Sequence, residues 1–164
     1  MEEIYCSRIN EVIKNKDKLE KELSVKISVD GKKISVDGGG VDEYEARLVF
    51  DAIDFGFTVK QALLLKDEEM RFRKVHIKDY TKRNLEDVKA RIIGTKGKAK
   101  RTMEEISNCK ILINDYDVGV IGYIEDVEHV VTAIIHVIRG SKQSNMYSYL
   151  ERMNRVRKEE GLDL

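Results

Sequence analysis

Ala90-Arg91-Ile92-Ile93-Gly94-Thr95-Lys96-Gly97-Lys98-Ala99-Lys100 joins an apolar pair, a G-x-x-G loop and a basic run. A lone G-x-x-G is a common chance match, so its surroundings decide its meaning. Upstream, Asn84 can cap a helix running from Leu85 to Ile93. Downstream, a second helix carries Lys98, Lys100 and Arg101 to about Ser107, and a strand begins at Lys110. Glycine at 94 and 97 permits a tight turn and removes Cβ atoms, so a nucleic-acid backbone can approach closely. The loop also opens a helix, where free N–H groups and the helix dipole favour phosphate. With Thr95, Lys96 sits inside the loop and can pair with phosphate. Arg91, Lys98, Lys100 and Arg101 extend the positive field. Ile93 and part of Lys110–Ile113 offer an apolar wall for bases.

Taken as a sum, the whole-chain charge argues against such a ligand. The chain has 164 residues, with 30 Lys+Arg and 30 Asp+Glu, for a net charge of zero. Partners, however, respond to local fields rather than to sums. Residues 1–70 hold 11 basic and 16 acidic groups, a net of −5, and residues 71–164 hold 19 and 14, a net of +5. Within Arg71–Arg101 there are 12 basic and 3 acidic groups. The positive charge therefore gathers around the intact G-x-x-G.

Outward from this loop the chain reads as two similar series. With no proline present, glycine and periodicity mark the boundaries. In the first series Glu3–Cys6 reads as a strand, Arg8–Lys14 and Lys18–Leu23 as helical segments, and Lys26–Val29 with Lys33–Val36 as a hairpin around Asp30-Gly31-Lys32. A helix follows over Asp42–Asp54, with Asp42 as its expected N-cap. Gly56 ends this helix, and Thr58 caps a short one. The second series has a strand at Arg71–Ile77, the two helices flanking Gly94–Gly97, and a hairpin from Lys110–Asn114 and Val118–Gly122. An amphipathic helix covers Glu125–Arg139, and a final charged helix runs from about Asn145 to Glu159. Val12–Lys18 lies over Ile92–Lys98, and Lys26-Ile27 lies over Lys110-Ile111 at a slightly larger offset. The chain thus reads as an internal duplication. The first copy has lost about four residues from its second helix, and Lys14 and Asp17 replace both glycines.

This arrangement resembles the KH domain, which clamps about four single-stranded nucleotides against a G-x-x-G loop. The fold expected is α+β: two tandem type I KH domains, each β-α-α-β-β-α, with three-stranded antiparallel sheets packed by helices, plus a C-terminal helix. Residues 1–66 form a degenerate copy lacking G-x-x-G. Residues 67–164 form the copy with the Gly-Thr-Lys-Gly loop and the C-terminal helix. Ala52–Leu63, Ala90–Lys100 and Gly140-Ser141 followed by Tyr147 resemble one family more closely. It is the two-KH-domain small-subunit ribosome-assembly protein, known in eukaryotes as partner of Nob and in archaea as its KH-domain homologue. The resemblance is clear from Ala52 to Met153 and looser over Glu3–Asp51.

The resemblance implies a non-enzymatic, cytoplasmic factor without a cofactor. Such a factor grips single-stranded small-subunit rRNA near its 3′ end and assists the endonuclease that matures it. Archaeal members are linked to the alpha subunit of translation initiation factor two. Val59 and Lys142 stand where family members often carry proline, which bears on local turn geometry. Archaeal relatives often keep G-x-x-G in the first copy, and this chain does not. A second reading follows: the degenerate, acidic copy serves as a protein adaptor, burying an initiation-factor subunit or the nuclease.

Other chemistry is poorly supported. No run approaches the roughly 18 apolar residues of a membrane helix, and Met1–Asn10 lacks a signal-peptide core, so the chain is expected to be soluble and intracellular. Cys6 and Cys109 have no metal spacing and read as buried thiols. His76, His129 and His136 read as surface histidines. Asp115, Asp117, Glu125 and Asp126 read as a polar hairpin and helix start rather than a nuclease cluster. Tyr116 reads as a loop tyrosine, with base stacking as the alternative.

Overall fold

The computed structural model describes residues 1–160; residues 161–164 of the expected second domain lie outside the described residues. The chain divides into two compact units, Met1–Phe72 and a second beginning at Arg73. The division falls inside a strand, beyond the expected boundary at residue 66.

The first unit runs β1 (Glu2–Tyr5), α1 (Ile9–Lys14), α2 (Lys16–Leu23), β2 (Lys26–Asp30), β3 (Lys33–Asp37), α3 (Gly40–Phe55) and α4 (Val59–Ala62), the last continuing as a 3₁₀ turn over Leu63–Lys66. Its sheet has the order β1-β3-β2, with both pairings antiparallel. Gly31 supplies the positive φ of +60° that lets two residues close the β2–β3 hairpin. The apolar sides of α1, α2 and α3 bury Val12, Leu19, Leu23, Val49, Phe50 and Ile53, alongside Ile27, Ile34 and Val36 of the sheet. Each such side chain contributes roughly 1.5–3 kcal/mol on leaving water.

The expected cap of α3 is corrected here. The helix begins at Gly40 with Gly39 as N-cap, and Asp42 lies in its first turn. An acidic side chain there still complements the helix dipole. Thr58 does cap α4, in a reciprocal capping box with Gln61.

β4 (Met70–His76) crosses the division, and the second unit continues with α5 (Leu85–Ile93), α6 (Lys98–Ser107), β5 (Lys110–Ile113), β6 (Asp117–Tyr123), α7 (Ile124–Ile138) and α8 (Gln143–Glu159). Its sheet order is β4-β6-β5. Val88, Ile92, Met103, Ile111, Val120 and Ile134 belong to one core cluster, which Met146 and Leu150 of α8 complete.

The internal duplication reappears as geometry. In the first copy Lys26 pairs with Asp37 and Val29 with Ile34; in the second, Lys110 pairs with Ile121 and Ile113 with Val118. Ser24 and Asn108 end α2 and α6 in the same left-handed conformation, at φ +55° and +58°. A Cβ on Gly38 would meet Val25 Cγ1 at 2.9 Å, and one on Gly122 would meet Cys109 Sγ at 2.5 Å. The duplication also reaches past the third helix of each copy. Gly56 at φ +135° leads to α4, and Gly140 at φ +109° leads to α8. Thr58 and Lys142 then hold nearly the same extended backbone, with φ −67° and −68°. Val59 takes the first helical position, where proline is otherwise favoured. The backbone at Lys142 is likewise open to proline, whose ring fixes φ close to this value.

Candidate nucleic-acid interface

α5 and α6 meet at the G-x-x-G loop. Asn84 caps α5, its Oδ1 accepting the N–H groups of Glu86 and Asp87 at 3.0 and 3.2 Å. The helix ends when Gly94 turns to φ +77°, ψ 171°. Lys96 follows at φ +53°, ψ 29°, and Gly97 at φ +74°, ψ 13°. A Cβ on Gly94 would lie 2.6 Å from both N and Cβ of Ala99. Gly94 is therefore required by the loop's own packing against α6. The Gly97 N–H donates to the Gly94 carbonyl at 3.1 Å and closes the turn.

Among the expected site residues, those from Ile93 to Lys98 come together. Ile93 is half-buried, whereas Thr95, Lys96 and Lys98 are exposed. Among the described residues, neither Lys96 nor Lys98 has an ion-pair partner. Three of the other cations have protein contacts. Arg91 donates from Nη2 to the Ser141 carbonyl at 2.7 Å, while its own carbonyl accepts Gln143 Nε2 at 2.6 Å. These bonds tie the end of α5 to the α7–α8 connection. Lys100 lies 3.6 Å from Glu104, and Arg101 donates to the Lys96 carbonyl at 2.7 Å. Lys110 is exposed at the start of β5, beyond about 15 Å of helix from Gly97. Of the expected apolar wall, Ile111 is core, while Leu112 and Ile113 are half-buried. Sequence reasoning missed Ala99, Ser141 and Gln143. Gly140-Ser141 stood out in the sequence, but nothing there pointed to Arg91 as its partner.

Hydrogen bonds also hold the β5–β6 hairpin. Asn114 Oδ1 accepts the N–H groups of Tyr116 and Asp117, and the Tyr116 carbonyl accepts the Ile77 N–H at 3.0 Å. Tyr116 itself is 58% exposed. The acidic residues near this hairpin do not converge: Asp117 binds His76 Nδ1 at 2.7 Å, whereas Asp126 is salt-bridged to Arg157. His129, expected as a surface residue, is half-buried and packs edge-on against Tyr149.

The first unit has no equivalent loop. α1 ends at Lys14 and α2 starts at Lys16, with Asn15 alone between them at φ −111°. Asn15 Nδ2 donates to the Glu11 carbonyl at 2.8 Å. No residue from 14 to 17 has positive φ, so the backbone forms a corner and not an open cradle. The expected shortening of the second helix is corrected here. α2 begins at Lys16, ahead of the Lys18 that aligns with the first residue of α6, and has eight residues against ten. The helix therefore carries only part of the loss, and the missing loop carries the rest.

No helix among the described residues is long and apolar enough to cross a membrane. A family model for the second KH domain of PNO1, a eukaryotic type KH domain (KH domain type I), matches residues 71–155. A KH domain-containing protein of Methanocaldococcus jannaschii is 30% identical over 146 residues, which is 84% of this chain; the match spans 64% of that relative's length. A protein of unknown function from Aeropyrum pernix has a TM-score of 0.87 at 28% identity, covering 98% of this chain and 95% of its own. Dim2p of Pyrococcus horikoshii has a TM-score of 0.83 at 28% identity, covering 93% and 99%. A chain in the a/eIF2alpha–aDim2p–rRNA complex of the same organism has a TM-score of 0.85 at 27% identity, covering 94% of each.

Proposed function

The chain belongs to the type I KH-domain family, through its match to the second KH domain of PNO1 over residues 71–155, and from that premise we propose that it is an RNA-binding factor of small-subunit ribosome assembly. Its second unit grips single-stranded rRNA near the 3′ end of the small-subunit RNA and assists maturation there without catalysing it. The observation that carries this reading is the loop itself. Gly94, Lys96 and Gly97 stand at positive φ, and the exposed Lys96 and Lys98 flank the opening of α6. The solved P. horikoshii relative in complex with rRNA supports the ligand class.

The test is crosslinking of the protein to RNA in cells, with the crosslinked nucleotides mapped. A footprint at the 3′ end of small-subunit rRNA is expected, and crosslinks spread evenly over unrelated RNAs would sink the proposal. In vitro, replacing Thr95 and Lys96 by Asp should abolish binding to an rRNA fragment while the far-ultraviolet circular dichroism stays unchanged.

A second activity is favoured by the corner at Asn15. The first unit is a degenerate KH copy whose backbone offers phosphate no cradle, and residues 1–70 are net negative. We assign it to protein contact, with the initiation-factor alpha subunit named in the relative's complex and the rRNA-processing endonuclease as the partners to test. A pulldown that survives nuclease treatment and needs residues 1–66 is expected. Loss of every partner after nuclease would remove this role.

A further inference from the structure

Lys96 lies in the left-handed region, a conformation uncommon for any residue with a Cβ. Something must hold it there. Arg101, five residues on and one turn into α6, donates from Nη1 to the Lys96 carbonyl at 2.7 Å. The same guanidinium crosses Gly97 closely: a Cβ on that glycine would stand 3.2 Å from Arg101 Nη1. Gly97 therefore leaves room for Arg101 as well as for a ligand.

This contact matters because a peptide has two ends. A carbonyl oxygen turned toward a phosphate would repel it, whereas the N–H groups and ammonium of the same loop attract it. With the Lys96 carbonyl engaged by a cation, the repulsive end is both occupied and neutralised.

We propose that Arg101 is a positioning residue of the G-x-x-G loop and not a phosphate ligand. It fixes the Lys96 peptide so that the carbonyl is withdrawn and the Lys96 ammonium meets the RNA. The proposal deepens the reading of the loop as an RNA grip and rests on it. The Nη1 bond to the carbonyl anchors the guanidinium over the loop, so its first task is to hold the left-handed turn.

The experiment uses the full chain and a fluorescein-labelled single-stranded RNA carrying the 3′-terminal small-subunit rRNA sequence, titrated over a series of potassium chloride concentrations. For single strands, each phosphate contact contributes about 0.7 to the slope of log affinity against log salt. Lys96→Ala should make the slope shallower by about that amount. Arg101→Ala should weaken binding by about 3- to 10-fold, the net worth of one solvent-exposed hydrogen bond, with the slope unchanged. Arg101→Lys keeps the charge but not the planar fork, and should not restore affinity. Amide hydrogen exchange of the free Arg101→Ala protein should accelerate at residues 96–98 and nowhere else. A slope shallower by about 0.7 in Arg101→Ala, with recovery in Arg101→Lys, would make Arg101 a direct ligand and overturn the proposal. Unchanged affinity and exchange would overturn it as well. If the unaltered protein fails to bind this RNA, the RNA reading itself fails, and the exchange measurement still decides whether Arg101 holds the loop.

Discussion

Glu104 accepts the backbone N–H of Ile111 on its Oε2 at 3.0 Å, tying α6 to the edge strand β5. At the matching place in the first unit, Glu20 does the same for Ile27 on β2 at 2.8 Å. An edge strand presents unpaired N–H groups, and in each unit one carboxylate covers one of them. From Glu104, α6 runs back about 10 Å to Gly97. From Ile111, β5 runs forward about 10 Å to Asn114. Because the chain reverses at Asn108, the loop and the hairpin bearing Tyr116 lie toward the same end of the unit.

Glu104→Ala should lower stability by about 1 kcal/mol, the net worth of one such hydrogen bond, and Glu20→Ala should match it. Urea denaturation measures both. Glu104→Gln should lose less, because the amide oxygen still accepts. An Ala variant as stable as the parent would show that water replaces the carboxylate.

Gly94→Ala should be harsher. It places a Cβ 2.6 Å from Ala99 in a backbone conformation near φ +77°, ψ 171°, a region occupied almost only by glycine. A cost of about 1–3 kcal/mol follows, together with at least a tenfold loss of RNA affinity. Denaturation paired with RNA titration separates the two. Normal RNA binding by this variant would mean that the loop is not held as described.

Arg157→Ala should loosen the end of α8. Arg157 is salt-bridged to Asp126, with side chains 16% and 11% exposed, and it also reaches Glu125 and the Tyr123 ring. Removing it leaves a nearly buried carboxylate without this cation. Because neither group is wholly buried, the expected loss is about 1–3 kcal/mol, below the range for a fully buried pair. Hydrogen exchange should quicken at the C-terminal turns of α8 before it does so at Met146.

The Cys109 thiol links stability to alkaline pH. Burial pushes its pKa from an ordinary value near 9 up to about 12, against a lowering hydrogen bond from Ser107. The unfolded chain therefore loses this proton first as pH rises. The contribution is complete below about pH 9 and fades as pH approaches 12. Stability should fall through that window, and less so in Cys109→Ala once its cavity loss at neutral pH is subtracted. The native thiol should also resist a disulfide reagent at pH 8, because the thiolate is the reactive form. Rapid native labelling of Cys109 would contradict both expectations.

Much of the fold is legible in the sequence because its signals are local. The helical faces of Glu125–Arg139, the Gly31 turn and the caps at Thr58 and Asn84 depend on neighbours within four residues. The true start of α3 is not legible, because Asp42 is a good cap by type while Gly39 and Gly40 permit an earlier start. The extension of the duplication to α4 and α8 is hidden as well. It is carried by Gly56 and Gly140, whose shared role is a backbone angle and not a side chain.

The sequence by itself determined the element order, the position of the G-x-x-G and the concentration of charge around it. These follow from periodicity, glycine and composition, all of which can be read along the chain. Only the tertiary structure decided what each cation does. Arg91, Lys96, Lys98 and Arg101 look alike as a row of positive charges. Yet Arg91 is spent on the Ser141 carbonyl, far along the chain, and Arg101 on the Lys96 carbonyl, while Lys96 and Lys98 have no ion-pair partner among the described residues. The reason is physical: a long side chain takes its role from the acceptor within reach of its tip, and folding, not sequence position, sets which acceptor that is.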